Sequence, residues 1–262
     1  MSEGRVLEAR EVSRRFAARG SRRRGVLALD RVSCSLGRGR TLGVVGTSGS
    51  GKSTLGEVMG GLLAPTSGEV LFDGRPLSGL GRDGRRGLRR SVQFVFQDPV
   101  ASMNPSFTVA RVLDDPQRVL DRDAGAARRQ ACSSELLEMV GLTDDVLGRR
   151  PAELSGGQAQ RVAIARALLS HPRVVVCDEC TSALDVSVQA QILNLLRDLQ
   201  AREGVSLLFI SHDIGVVSYM ADEVVVLDAG RLVESAPTRE VIEAPRAAQT
   251  RALIDAARGL EP

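Results

Sequence analysis

Lysine is all but missing from this chain. It carries 35 lysines and arginines, and only Lys52 is a lysine. Tryptophan is absent, tyrosine occurs once, and aromatic residues make up 3% of the total. No apolar run approaches the roughly 20 residues that a membrane-crossing helix needs, so no such helix is expected. The first residues, Met1-Ser2-Glu3-Gly4-Arg5, lack the apolar stretch of a signal peptide. The expected location is therefore the cytoplasm, or the cytoplasmic face of a membrane that the chain attaches to peripherally. Four cysteines in 262 residues are too few for a disulfide framework. Cys177 and Cys180 do spell C-x-x-C, but no second pair accompanies them and Asp178 and Glu179 between them have a better use. Zinc and redox chemistry are set aside on that ground. A net charge of +3 gives no argument for nucleic acid as a partner.

What is present is a chain long enough to bury a full core, 43% hydrophobic and 26% charged. Its one lysine falls inside Gly46-Thr47-Ser48-Gly49-Ser50-Gly51-Lys52-Ser53-Thr54. This G-x-x-x-x-G-K-[ST] pattern follows the strand-like run 41–45 and precedes a helical pattern over 55–63, the context of a phosphate-binding P-loop. Glycines let the backbone curl so that successive N–H groups face phosphate oxygens, and the positive end of the following helix adds to the field. Lys52 is expected to reach the β- and γ-phosphates, and the Ser53 hydroxyl to ligate Mg²⁺. An ammonium and a guanidinium are not interchangeable, and the ammonium stands where a P-loop needs it.

Read in order, residues 5–45 predict short strands at 6–9, 26–29 and 32–36. A basic segment containing Arg10, Arg14, Arg15, Arg19, Arg22, Arg23 and Arg24 separates the first two and is expected to be a solvated loop. Phe16 lies inside it, either as a core residue or as an aromatic that stacks on a base, worth about 1–3 kcal/mol. Residues 67–74 read as a strand ending in a D-G turn, residues 79–90 as an exposed Gly/Arg loop, and 91–96 as an apolar strand that presents Gln97 at its end. Helical periodicity appears in 109–119 and 126–140 and suggests an inserted helical lobe. Leu154-Ser155-Gly156-Gly157-Gln158 then opens a helix, with Ser155 as N-cap and its N–H groups unpaired: a second anion-binding helix terminus. One set of phosphates cannot use both termini from a single chain, so two copies facing each other are expected. The strand 173–179 delivers Asp178, suited to the Mg²⁺ shell, and Glu179, suited to orienting a water. A helix over 186–202 and a strand over 205–210 follow. His212 comes just after that strand, at the expected ligand edge, and His171 is expected to be structural.

Taken together, Gly46–Thr54, Gln97, Leu154–Gln158, Val174–Glu179, Ser182–Asp185 and His212 resemble, in that order, the ATP-binding cassette of membrane transporters. The wording around 96–105 and 182–196 resembles the dipeptide/oligopeptide/nickel importer branch. This resemblance implies an α/β P-loop NTPase (RecA-like) core with an N-terminal antiparallel β subdomain and an inserted α-helical subdomain. The core and β lobe would take residues 1–97 and 160–262, and the helical lobe 98–159. It implies ATP and Mg²⁺ as ligands, Phe16 under the adenine, and Gly46, Thr47, Ser48, Gly49, Ser50, Gly51, Lys52, Ser53 and Thr54 on the phosphates. Ser53, Gln97 and Asp178 would face the metal. Glu179 would be the general base, with His212 on the γ-phosphate and Gln97 on metal and water. Ser155, Gly156, Gly157, Gln158 and Asp185 would act across a dimer, on the ATP of a second cassette. The implied partners are that cassette, transmembrane permease subunits and, indirectly, a solute-binding protein. Two rival classes are a cassette acting on nucleic acid or ribosomes, for which the basic 10–24 segment is the best support, and a regulatory half with a silent site. One cassette without a heptad run argues against the first, and intact Glu179 and His212 against the second.

Overall fold

In the computed structural model, which describes residues 4–17, 25–121 and 123–259, the apolar runs of the sequence become the middle of one sheet. In chain order the elements are β1 (Arg5–Phe16), β2 (Val26–Gly37), β3 (Thr41–Gly46), α1 (Lys52–Met59), β4 (Ser67–Phe72), β5 (Arg75–Pro76), α2 (Arg82–Ser91) and β6 (Val92–Val95). Next come α3 (Val109–Leu120), α4 (Ala126–Met139) and α5 (Gly156–Leu168). The chain then alternates through β7 (Val174–Asp178), α6 (Val186–Glu203), β8 (Ser206–Ile210), α7 (Ile214–Met220), β9 (Glu223–Asp228), β10 (Arg231–Pro237), α8 (Thr238–Glu243) and α9 (Ala248–Ala257).

Six strands form the main sheet in the order β10-β9-β3-β8-β7-β6, parallel except at the β10 edge. A second, antiparallel sheet runs β2-β1-β4-β5. A parallel sheet covered on both faces needs apolar side chains at every position rather than at alternate ones, and strand alternation divides them between two cores. Val174 and Val176 of β7, Leu208 and Ile210 of β8 and Val44 of β3 turn to the antiparallel sheet and to Leu55, Val58 and Met59 of α1. Val175 and Cys177, Leu207 and Phe209, and Val45 turn to the other core, which α3, α4 and α5 share through Leu113, Leu137 and Ile164. Each fully buried aliphatic side chain of this kind contributes about 1.5–3 kcal/mol. A one-residue slip in any of these strands would exchange the two cores.

Three sequence expectations need correction. The segment from Arg10 is not a loop throughout: β1 continues to Phe16, so Arg10, Arg14 and Arg15 are strand residues, while Arg19, Arg22, Arg23 and Arg24 lie outside the described residues. A bulge hides this continuation, because Glu11 sits at φ +48° and the inward apolar order jumps from Ala9 to Val12. The strands expected at 26–29 and 32–36 are one strand, β2, again with a residue, Arg31, in the left-handed region. Residues 79–90 are not a loop: α2 occupies most of them, anchored by one buried residue, Leu88, with Asp83 in its first turn and Arg89 and Arg90 in its last. Elsewhere the expected elements form. The Asp73-Gly74 turn joins β4 to β5 with both residues at positive φ, as a tight hairpin requires.

Candidate functional site

Every parallel strand of the main sheet ends at one edge, and the chemistry-bearing residues follow those ends. The loop 47–51 follows β3, Gln97 comes two residues after β6, Asp178 ends β7 and Glu179 follows it, and His212 comes two residues after β8. The loop curls tightly. Gly51 has φ +100°, and a Cβ there would stand 2.4 Å from the Ala28 carbonyl oxygen, so only glycine fits. As N-cap it offers no side chain, which leaves the first N–H groups of α1 pointing into the curl. The buried Lys52 lays its Nζ across the same curl, donating to the Gly46 and Thr47 carbonyls at 2.9 and 2.8 Å. Burial lowers the ammonium's pKa, while Glu179 and Asp178 nearby act in the opposite direction. The Ser50 hydroxyl is buried in the loop without a partner.

The Ser53 hydroxyl donates to Asp178 Oδ1 at 3.0 Å, which joins the start of α1 to the end of β7. Burial raises the Asp178 pKa; the Ser53 bond and Lys52 pull it down, and Glu179 pushes it further up. The carboxylate thus sits where a cation would relieve it. Ser53, Asp178 and Gln97 offer only oxygen donors of the kind that suits a hard divalent ion. Among the described residues no trio of His, Cys, Asp and Glu forms a metal cage on its own, so a cation here depends on the hydroxyl and on ligand oxygens.

Glu179 does not continue the strand. It turns at φ +48°, and its N–H donates across to the Ile210 carbonyl at 3.0 Å. A non-glycine residue in that region costs on the order of 1–2 kcal/mol. The result is that Asp178 meets Ser53 while Glu179 Oε2 lies 3.5 Å from His212 Nδ1. Behind them, Cys177 and Cys180 are buried in the core, and hydrogen bonding to Cys180 together with burial raises the Cys177 pKa.

A cleft of about 620 Å³ opens over this edge, lined by Ser48, Gly49, Gly51, Lys52, Ser53, Thr54, Gln97 and Glu179. Val26, Leu27, Ala28, Ala229 and Gly230 complete the wall. Sequence reasoning missed these five. Ala229 and Gly230 had a signal, an Ala-Gly turn with both residues at positive φ; Val26, with 71% of its surface exposed, had none. Phe16 does not line the cleft. It pairs with Val26 across β1 and β2 and carries the Arg14 guanidinium 4.9 Å from its ring centre.

Nor do Ser155, Gly156, Gly157, Gln158 or Asp185 line it. Ser155 caps α5 reciprocally: its Oγ accepts from the Gln158 N–H at 3.2 Å, and Gln158 Oε1 accepts from the Ser155 N–H at 3.1 Å. One donor that the sequence reading left open is therefore satisfied, and the Gly156 and Gly157 N–H groups make no hydrogen bond among the described residues. Gly157 is needed for a close approach, since a Cβ would stand 2.6 Å from Val188 Cγ1 at the start of α6. Asp185 caps α6, accepting from the Val188 N–H at 2.9 Å. His171 follows the turn after α5, at φ +48°.

Fold and site together define a P-loop ATPase domain. Residues 29–182 match the family model described as ABC transporter, and the chain belongs to that family. It is 41% identical to a putative peptide import ATP-binding protein of Brucella ovis over 262 residues, which cover 100% of this chain and 81% of the relative. It is 45% identical over 232 residues to a probable peptide ABC transporter ATP-binding protein of Sinorhizobium fredii, covering 88% of this chain and 65% of that one. Among solved structures it resembles a Clostridium perfringens protein that is part of the cbiONQ ABC transporter complex, with TM-score 0.80, 29% identity and 92% coverage of both chains. It also resembles a dimeric ATP-binding cassette in a post-hydrolysis state bound to ADP and Pi, with TM-score 0.79, 31% identity and coverage of 89% and 99%.

Proposed function

We propose that this chain is the ATP-hydrolysing subunit of a peptide importer and works as a pair of cassettes. The observation that carries the reading is the division of the site: Lys52, Ser53, Asp178, Glu179 and His212 converge at one sheet edge, while Gly156 and Gly157, with two free N–H groups, do not line that cleft. In this reading the loop 46–54 and Lys52 hold the β- and γ-phosphates, and Ser53, Asp178 and Gln97 face Mg²⁺, which supplies charge neutralisation at the phosphate oxygens. Glu179 takes the proton of the attacking water, and His212 steadies the γ-phosphate. The Glu179 turn separates these two roles from that of Asp178. Val26 and Leu27 offer an apolar surface for the base, with Phe16 beside them. The N–H groups of Gly156 and Gly157 complete the γ-phosphate environment of a second copy, so full electrostatic stabilisation exists only in the closed pair. The helical lobe, 98–159, with Gln97 at its entrance, passes the closing motion to membrane subunits, and a solute-binding protein delivers the cargo to them.

The names of the Brucella and Sinorhizobium relatives support peptide as the cargo, and the dimeric cassette supports the pairing. Turnover of purified protein measured against its concentration tests the pairing: activity per chain rises as dimers form, and a constant value would end it. Reconstitution with the membrane subunits of a peptide importer tests the cargo, through stimulation of hydrolysis by a peptide-loaded binding protein.

A further inference from the structure

Between α3, the start of α4 and the loop at Leu147-Gly148 lies a second cleft, of about 600 Å³, which shares no lining residue with the nucleotide cleft. Three arginines line it, Arg111, Arg118 and Arg129, against one acid, Asp114. Positions 111, 114 and 118 stand three and four apart, so helical spacing brings them to one face of α3. Asp114 divides its carboxylate between two of the arginines: Oδ2 accepts from Arg118 Nε at 2.6 Å and Oδ1 from Arg129 Nε at 2.5 Å. Both bonds are made at the base of the guanidinium fork. Of the four outer nitrogens on these two forks, only Arg129 Nη1 has a partner among the described residues, the Ala124 carbonyl. Arg111 rests its guanidinium carbon 3.8 Å from the Phe107 ring centre, and its Nε is 3.8 Å from Asp115, which does not line the cleft. Three guanidinium charges against one carboxylate leave two positive charges in excess around the cleft. The Arg129 side chain is only 12% exposed, so one of these charges is largely withdrawn from water. The start of α4 adds to the same field, because its N-cap, Gly125, offers no side chain to the first N–H groups and Ala126 lines the cleft.

We propose that this cleft binds a phosphomonoester, carried by a small metabolite or by a lipid headgroup, with its dianionic phosphate held among Arg111, Arg118 and Arg129. Guanidinium forks match phosphate oxygens in pairs. The carboxylate that orients two of the forks through Nε leaves their outer nitrogens for a ligand. The Thr108 hydroxyl and the Gln130 amide also line the cleft and suit the hydroxyl groups of a sugar or a glycerol. The volume lies within the usual range for small ligands, about 300–1,000 Å³. No aromatic ring lines the cleft, so a nucleobase gains no stacking there. An occupant touches α3, α4 and Leu147-Gly148 together, where the Leu147 carbonyl already accepts from the Ala110 N–H at 3.0 Å.

The test uses the whole chain and separates this cleft from the P-loop with variants of each. Glucose 6-phosphate is titrated by calorimetry into the parent, into Lys52→Ala and into the double variant Arg111→Gln/Arg118→Gln, with glucose and sulfate as controls. Vesicles containing phosphatidic acid are compared with phosphatidylcholine vesicles by co-sedimentation, and the probe that binds identifies the source of the phosphate. The parent and Lys52→Ala are expected to bind one of the two probes alike. The arginine variant should bind it about tenfold to a hundredfold less tightly, while an ATP affinity equal to the parent's shows that the variant is folded. Gln130→Glu, which sets a second carboxylate in the cleft and removes no arginine, should weaken binding in the same direction. Binding lost in Lys52→Ala and unchanged in the arginine variant would belong to the P-loop, and would overturn the proposal while leaving the nucleotide reading intact. Sulfate bound as tightly as the phosphomonoester, or neither probe bound, would also overturn it.

Discussion

Two of the helix N-termini that bear glycine, those of α1 and α5, have opposite surroundings. At α1 the free N–H groups sit in a curl that already holds a buried ammonium, a hydroxyl bonded to Asp178 and, around the edge, Glu179 with His212. At α5 the free N–H groups of Gly156 and Gly157 have only their own capping box beside them, and no titratable side chain of the site lines a pocket with them. In the proposed function the first terminus is the half-site that holds the phosphates. The second has the field of a phosphate site and no means of holding one. The difference supports the proposed division of catalysis between copies, with affinity on one terminus and completion on the other.

The largest expected effect sharpens the first half of this contrast. Glu179→Gln removes the proposed proton acceptor beside His212 while keeping the shape, so turnover should fall by about 10²–10⁴-fold with ATP affinity retained. Rapid-quench hydrolysis and nucleotide titration read the two quantities separately. Gly157→Asp probes the other terminus. It places a carboxylate at the free N–H groups and forces Val188 to move. Loss of one preorganised donor set costs on the order of 10²–10³ in turnover, and ATP affinity of the dilute chain should not change. If affinity fell equally, the division between the two termini would fail. Lys52→Ala should do the reverse and weaken ATP binding itself, by roughly tenfold to a hundredfold for a charge-assisted bond.

The half-site was legible in the sequence because each of its parts ends an apolar strand, and a parallel sheet delivers strand ends to one edge whatever the loops do. The lone lysine inside the glycine loop, Gln97 after 91–96, and Asp178-Glu179 after 173–177 follow from that rule. What alternation does not predict is how Asp178 and Glu179 part company. That depends on a left-handed turn at Glu179, an unfavourable conformation that the N–H bond to Ile210 holds in place. The α5 terminus was legible through Ser155 and Gln158, but the need for glycine at 157 comes from Val188, thirty-one residues later in the chain and visible only once α5 and α6 pack. α2 escaped notice for the opposite reason: one buried leucine and two glycines leave no periodicity to read, and its helical state rests on packing around Leu88. The base-side wall was hidden because Val26 and Leu27 look like ordinary strand residues, while the aromatic Phe16 draws attention one strand away.

The smallest expected effect asks what the finished half-site costs the fold. Burial, with Glu179 alongside, raises the Asp178 pKa, and the folded chain therefore holds that proton more tightly than the unfolded one. Stability on this account is greatest below the ordinary aspartate range and falls as the pH rises through the raised value. At neutral pH the carboxylate is charged and the penalty is fully present. Asp178→Asn removes it and leaves an oxygen to accept from Ser53, so the nucleotide-free variant should melt a few degrees higher, on the order of 1 kcal/mol for a chain this size. Two neighbours shape the result. Glu57, whose pKa burial and Asp178 both raise, is relieved by the substitution and adds to the gain. Lys52, already lowered by burial, loses a compensating anion and subtracts from it. The difference in Tm between variant and parent should be largest at neutral pH and close as the pH falls through the carboxylate range. A variant less stable than its parent at neutral pH would mean that Asp178 is held by its partners rather than strained by them, and the α1 terminus would then be a structural joint as much as a phosphate site.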